Sequence, residues 1–219
     1  MRSILVSISF LSAFAAAAAQ ATPITIEFAG AVHSVGSAVT GTIEVGDPVV
    51  GTLTYDAALA GPDRTPSSTA GTYFGAITHF GVTLGSYSAE YVSSGGLLVG
   101  NDQVVGSETR DQVLFGAALS GARINGHSLQ GGQLGFSSDD PSRLSSDAIP
   151  TVSELLGFLA SEADHNLNVI TFDVAGATIE DDIRWNVSSF TAVPEPSTAL
   201  LLGLGLLGLA VAGRPRASG

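Results

Sequence analysis

The 219-residue chain contains no cysteine, and none of its eight basic residues is a lysine. Without thiols there is no disulfide staple and no thiolate metal site, so a folded unit must hold by packing alone. Without lysine there is no Walker A phosphate loop, no Schiff base and no Ser-Lys dyad. Histidine is scarce as well. His33, His79, His127 and His165 all stand more than five residues apart, which excludes the H-x-x-x-H and H-E-x-x-H ligand spacings. No serine sits in a G-x-S-x-G elbow, so the many serines have no nucleophile context. Aromatic residues make up 7% of the chain, with a single tryptophan, Trp185. Trp185 shares a strand face with Val187, which favours a core position over an exposed sugar-stacking one.

What the chain does have is acid. Twenty Asp and Glu face eight arginines, a formal charge of −12. All the acids except Glu195 fall within residues 22–193, where the only basic residues are Arg64, Arg110, Arg123, Arg143 and Arg184. A surface of that sign repels nucleic acid and anionic lipid, so no nucleic-acid partner is expected. Asp139-Asp140 and Glu180-Asp181-Asp182 are clusters that could offer oxygen ligands to Ca²⁺, but the EF-hand spacing is absent. Neighbouring acids more often solvate a turn, and neither a cofactor nor a metal is expected. Paired carboxylates could also serve a glycosidase, though such a pair can be picked from almost any acidic domain.

Two apolar runs bracket the acidic middle. At the start, Arg2 precedes an uncharged stretch from Ile4 to Ala19, and Ala19-Gln20-Ala21 is an A-x-A cleavage sequence. Residues 1–21 therefore read as a secretory signal peptide, cut before Thr22. At the end, Pro194-Glu195-Pro196 is a stiff, extended tripeptide, because each proline fixes φ and pushes the residue before it out of the helical region. Sixteen uncharged residues follow, Ser197 to Ala212, rich in Leu, Ala and Gly. As a helix they rise about 24 Å, short of a hydrocarbon core of about 30 Å but usable where the bilayer thins. Arg214 and Arg216 come next and hold that end in the cytoplasm. Gly203, Gly205 and Gly208 fit G-x-G-x-x-G, but no strand precedes them and no acidic residue follows, so they read as membrane-helix glycines.

This three-part tail resembles the PEP-CTERM sorting signal of Gram-negative bacteria, with Pro194, Glu195 and Pro196 in the name-giving positions. The resemblance implies recognition by an exosortase, export, transient anchoring in the inner membrane through residues 197–212, and cleavage near the motif. The segment from Val49 to Asp56, with Gly71-Thr-Tyr73 and Gly81-Val-Thr-Leu84 after it, also resembles a strand pattern of ectodomains that carry such tails. That likeness implies a β-rich fold and no particular activity.

The middle is long enough for one well-buried domain. Its dominant signal is alternation of apolar and polar residues, broken by Gly, Ser, Thr and Asp, as in half-buried strands. Expected strands are Ile24 to Phe28, Val39 to Val45, Val49 to Tyr55, and Ile77 to Leu84 joined by Gly85-Ser86 to Tyr87 to Val92. Further ones are Leu97 to Val99, Gln112 to Leu119, Ile124 to His127, Gln133 to Phe136, Val169 to Val174 and Trp185 to Phe190. A short helix is expected within 150–162, with Ser153 as its N-cap. Ala57 to Ala70 and Ser137 to Pro150 read as long mobile loops, and Ser188 to Val193 as a linker.

The organisation expected is a signal peptide at 1–21, a single antiparallel, jelly-roll-like β-sandwich ectodomain at 22–190, and a sorting region at 191–216. Within that region lie the motif 194–196, a transmembrane helix 197–212 and a basic end 214–216. The function expected is a secreted or surface-associated non-enzymatic protein of the extracellular matrix, with exopolysaccharide as a candidate partner. A glycan-binding module is the alternative, provided that Tyr73, Tyr87 and Tyr91 form an exposed platform. A secreted hydrolase comes third.

Overall fold

The computed structural model describes residues 23–65, 67–160, 165–173 and 182–193. The expected signal peptide, the tripeptide 194–196, the helix 197–212 and the arginines behind it lie outside these residues. The described residues form ten strands in chain order: β1 (Ile24–Val35), β2 (Pro48–Tyr55), β3 (Ala70–Phe74), β4 (Ile77–Leu84), β5 (Tyr87–Val105), β6 (Glu108–Gly121), β7 (Leu129–Ser138), β8 (His165–Asn166), β9 (Asn168–Phe172) and β10 (Ile183–Val193). Among the described residues one α-helix, α1 (Val152–Ala160), lies between β7 and β8.

Every strand pairing is antiparallel, and the path β1-β2-β4-β5-β6-β7-β9-β10 closes on itself through β10 and β1. The architecture is therefore an eight-stranded up-and-down barrel, not the jelly-roll sandwich expected from sequence. β3 is nearly collinear with β4: Ala70 pairs with Gly100 and Leu84 with Tyr87, so both lie along the long strand β5. A bend at Gly75-Ala76, matched by register shifts between Tyr91 and Gly96, lets that pair curve. Two further shifts lie where β1 meets β10, at Ala29/Gly30 and Val32/Ser34. Bulges of this kind supply the local bend and twist that turn a sheet into a closed ring.

Alternation explains which face of each strand turns inward. Along β6, Val113, Phe115, Ala117 and Leu119 are buried and the residues between them are not. Trp185, Tyr55, Phe80, Phe115, Phe136 and Phe158 are the largest fully buried side chains among the described residues. Some of these rings make edge and tilted contacts: Tyr55 stands 5.4 Å from Phe115, and Phe136 stands 4.9 Å from Phe190. Eight strands leave an interior just wide enough to be filled by side chains in this way. Burial keeps the Tyr55 phenol protonated well above the usual tyrosine range, with the Glu154 charge adding to the effect. The expected Val39 to Val45 strand is instead a 3-10 turn followed by an isolated bridge. Ile124 to His127 is a tight turn, with Asn125 and Gly126 both at positive φ.

Helix α1 adds Leu155, Phe158 and Leu159 to the same core. Its N-cap is Thr151 rather than Ser153. The Thr151 N–H and hydroxyl both donate to Glu154 Oε2, at 2.9 and 2.8 Å, and the Glu154 N–H points back to the Thr151 hydroxyl at 3.3 Å. This capping box needs a carboxylate three residues after the cap, which Thr151 has and Ser153 lacks. The backbone N–H of Thr151, then its hydroxyl, hold the Glu154 carboxyl below the usual range. Its contribution is therefore complete above the unfolded value, about 4.3, and fades as pH falls through the folded one. Thr151→Ala is expected to cost about 1 kcal/mol in chemical denaturation at neutral pH. The gap between wild type and Glu154→Gln should close in acid; a gap independent of pH would contradict the capping box.

The long loops are tied down. In Ala57 to Ala70, the Gly61 N–H donates to Phe74 O at 2.8 Å and the Arg64 N–H to Thr72 O at 3.0 Å. Asp63 accepts from the Thr72 and Thr65 N–H groups at 2.8 and 2.9 Å, bonds that lower its pKa in that order. In 139–150, the fully buried Asp111 accepts from the Asp102 N–H at 2.9 Å and the Leu144 N–H at 2.7 Å. One carboxylate thus pins a strand irregularity and a loop together, a role no local sequence signal announces.

Candidate functional site

The first functional feature is the junction with the tail. β10 remains paired with β1 to its last residue: Phe190 faces Phe28, Ala192 faces Ile26 and Val193 faces Thr25. Ser188 to Val193 is thus part of the closing seam and not a linker. Pro194 follows the last rung directly. A proline has no N–H to donate to such a ladder. β1 begins beside that rung, with Ile24 next to Thr25, the partner of Val193, and paired with Tyr55 on its other side. Both ends of the barrel's chain therefore leave from the same rim, side by side. Pro194, Glu195, Pro196, Arg214, Arg216, Ala19 and Ala21 all lie outside the described residues.

The residues singled out for chemistry do not converge. His33 and His79 are exposed on separate strands, and His127 Nδ1 meets Asp173 O at 3.2 Å in a turn. Asp139 lies 2.8 Å from Arg110 Nε and Asp140 lies 3.0 Å from Arg143 Nε. Hydrogen bonds from the Ser142 hydroxyl and N–H, and then Arg143, hold the Asp140 carboxyl below its usual range. The Asp139-Asp140 pair thus faces guanidinium groups. Of the second acidic cluster, Glu180 and Asp181 lie outside the described residues. Among the described residues no group of three or more His, Asp or Glu could hold a metal ion.

The aromatic platform asked of a glycan binder does not form. Tyr87 is buried, while Tyr73 and Tyr91 pack against the core. The Tyr73 hydroxyl donates to Asp147 O at 3.1 Å. Trp185 is fully buried, as its alternation with Val187 suggested.

Two hollows among the described residues lie on the outer wall. The larger, about 450 Å³, crosses β10, β1, β2, β4 and β5. Its central row is set by strand register: Thr191, Glu27, Thr52, Gly81 and Glu90 are successive cross-strand neighbours. Gly81 makes the depression, because a β-carbon there would stand 2.9 Å from Glu90 Oε2. Thr52 and His79 hold each other across β2 and β4, with Oγ1 and Nε2 2.9 Å apart. Thr83 bonds Ser88 at 3.0 Å, and Val50 is 54% exposed beside it. A smaller hollow of about 200 Å³ lies over β1, β7, β9 and β10, where His33, Gln133 and Arg184 meet. Sequence reasoning missed both, because register decides which outward residues become neighbours.

Together the barrel and its seam define a class: a small closed β-domain carried immediately ahead of a C-terminal signal. Residues 192–217 match the profile of the PEP-CTERM protein-sorting motif. The motif starts inside the last two residues of β10, and it implies export, processing by an exosortase, and delivery to the cell surface or beyond. No curated protein and no solved structure matches the chain. Among the described residues no helix is long and apolar enough to cross a membrane.

Proposed function

We propose that this protein is a non-enzymatic component of the cell surface or extracellular matrix. Its precursor is anchored in the inner membrane by residues 197–212, and an exosortase releases it at the tail. The observation that carries this reading is the sorting motif fused without a linker to the last strand of the barrel. The folded part of the chain is then the cargo. Its ionisable groups support a structural role: Asp111, Asp63 and Glu154 are spent on backbone N–H groups, and Arg110 and Arg143 on acids.

A glycan-binding module is the second reading, favoured by the hydroxyl- and carboxylate-lined groove on the wall rather than by tyrosines. Nothing observed favours a hydrolase. The test is fractionation of tagged protein from cells grown as a film. Co-extraction with the extracellular polymer is expected, and quantitative recovery in polymer-free medium would contradict a matrix role.

A further inference from the structure

We propose that the groove across β1, β2, β4 and β5 binds an amine-bearing glycan chain, an oligomer of amino sugars, with Glu27 and Glu90 holding its ammonium groups. The proposal rests on the glycan-binding reading and adds the charge class of the sugar.

Charge decides the class. Neither Glu27 nor Glu90 has a hydrogen-bond or ion-pair partner among the described residues. The arginines of the barrel are all placed elsewhere. Arg64 lies over the Phe74 ring at 5.6 Å, and Arg110 and Arg143 serve the 139–140 loop. Arg123 reaches Gly126 O, and Arg184 lines the other hollow. The groove therefore presents two carboxylates without an ion-pair partner and no arginine, with the His79 imidazole held to Thr52 beside Glu90, a balance that repels a uronate chain and attracts a protonated amine. Glu90 folds back over Gly81, so its carboxylate stands above β4, two strands from Glu27. At a strand spacing of about 4.8 Å the two acids are about 10 Å apart, far enough to serve different units of one chain.

The rest of the lining suits a sugar. Thr52 and Thr83 supply hydroxyls that can donate and accept, and the exposed Val50 gives an apolar strip for the C–H face of a ring. A basic peptide is the competing cation. It would gain most by adding a strand to a free sheet edge, but β1, β2, β4 and β5 are each paired on both sides.

The test is calorimetric titration of the exported, processed protein at low salt. The probes are a deacetylated glucosamine oligomer, a neutral glucose oligomer, an oligouronate and a lysine-rich peptide. The glucosamine oligomer is expected to bind about tenfold or more tighter than the others and to weaken as salt screens the acids. Glu27→Gln with Glu90→Gln should cost about tenfold in affinity, with the melting temperature unchanged because both side chains sit on the outer wall. Unchanged binding by the double variant would overturn the proposal. Equal binding of the neutral oligomer would overturn the amine assignment while leaving glycan binding intact. Binding of the peptide alone, or of no probe, would overturn both.

Discussion

Replacing Pro194, Glu195 and Pro196 by alanine is expected to leave the protein in the membrane fraction at its unprocessed size. The apolar run Ser197 to Ala212 and the arginines Arg214 and Arg216 are untouched by this change, so the proposed insertion and orientation are expected to survive. What changes is the segment between the barrel and the proposed anchor. The last rung of the seam is Val193 against Thr25, and a proline at 194 cannot donate the next ladder bond. Alanine can. It is also the best helix former, so a helix formed by 197–212, as proposed, would be free to grow back through 194–196. Either extension buries the backbone that a protease must hold in extended form, and the Glu195 charge is lost as a recognition point. Fractionation with gel mobility reads the outcome. Cleavage and release of the alanine variant at the wild-type level would reduce the tail to a plain anchor.

The largest stability effect is expected at the same seam. A β-carbon on Gly30 would stand 1.9 Å from Asn186 O and 2.9 Å from Val187 Cα. Both atoms are backbone of β10, so no side chain can swing aside and the seam itself has to part. Gly30→Ala should cost about 3 kcal/mol, the upper end of overpacking penalties, or roughly 6–12 °C in melting temperature for a domain of this size. Gly116 is the control. It lies in β6 without a positive φ, and nothing stands within 4 Å of its would-be β-carbon. Gly116→Ala should be neutral or stabilise by up to about 1 kcal/mol through the unfolded chain. Equal melting of the two variants would show that the β1–β10 contact does not close the barrel.

The strands were legible because alternation is local: Tyr87 to Val92 and Gln112 to Leu119 carry their own inward faces, and Trp185 was placed by its spacing to Val187. Closure was not legible. A sandwich strand and a barrel strand alternate identically, and what separates them is the pairing of Ile26 with Ala192 across nearly the whole domain. Polar Ser188 and Ser189 made the end of β10 look like a linker, although seam residues on an outer wall can be polar. Ser153 drew attention as a cap because serine caps helices, but the partner Glu154 selects Thr151. Asp111 looked like one acid among many until burial and two N–H donors distinguished it. The sorting tail was the most legible part because its signal is order along the chain, a stiff tripeptide, an apolar run and a basic end, and needs no tertiary contact. The groove was the least legible, since Glu27, Thr52, Gly81 and Glu90 become neighbours only through three strand registers.

Sorting through the tail is tested most directly by the intact mass of the protein released by its host and by a strain lacking the exosortase. The released chain is expected to begin at Thr22 and to end near residues 194–196, and the strain without the enzyme should retain an uncut tail in its membranes. A released chain that begins at Met1 or still carries residues 197–219, or identical processing in both strains, would contradict it.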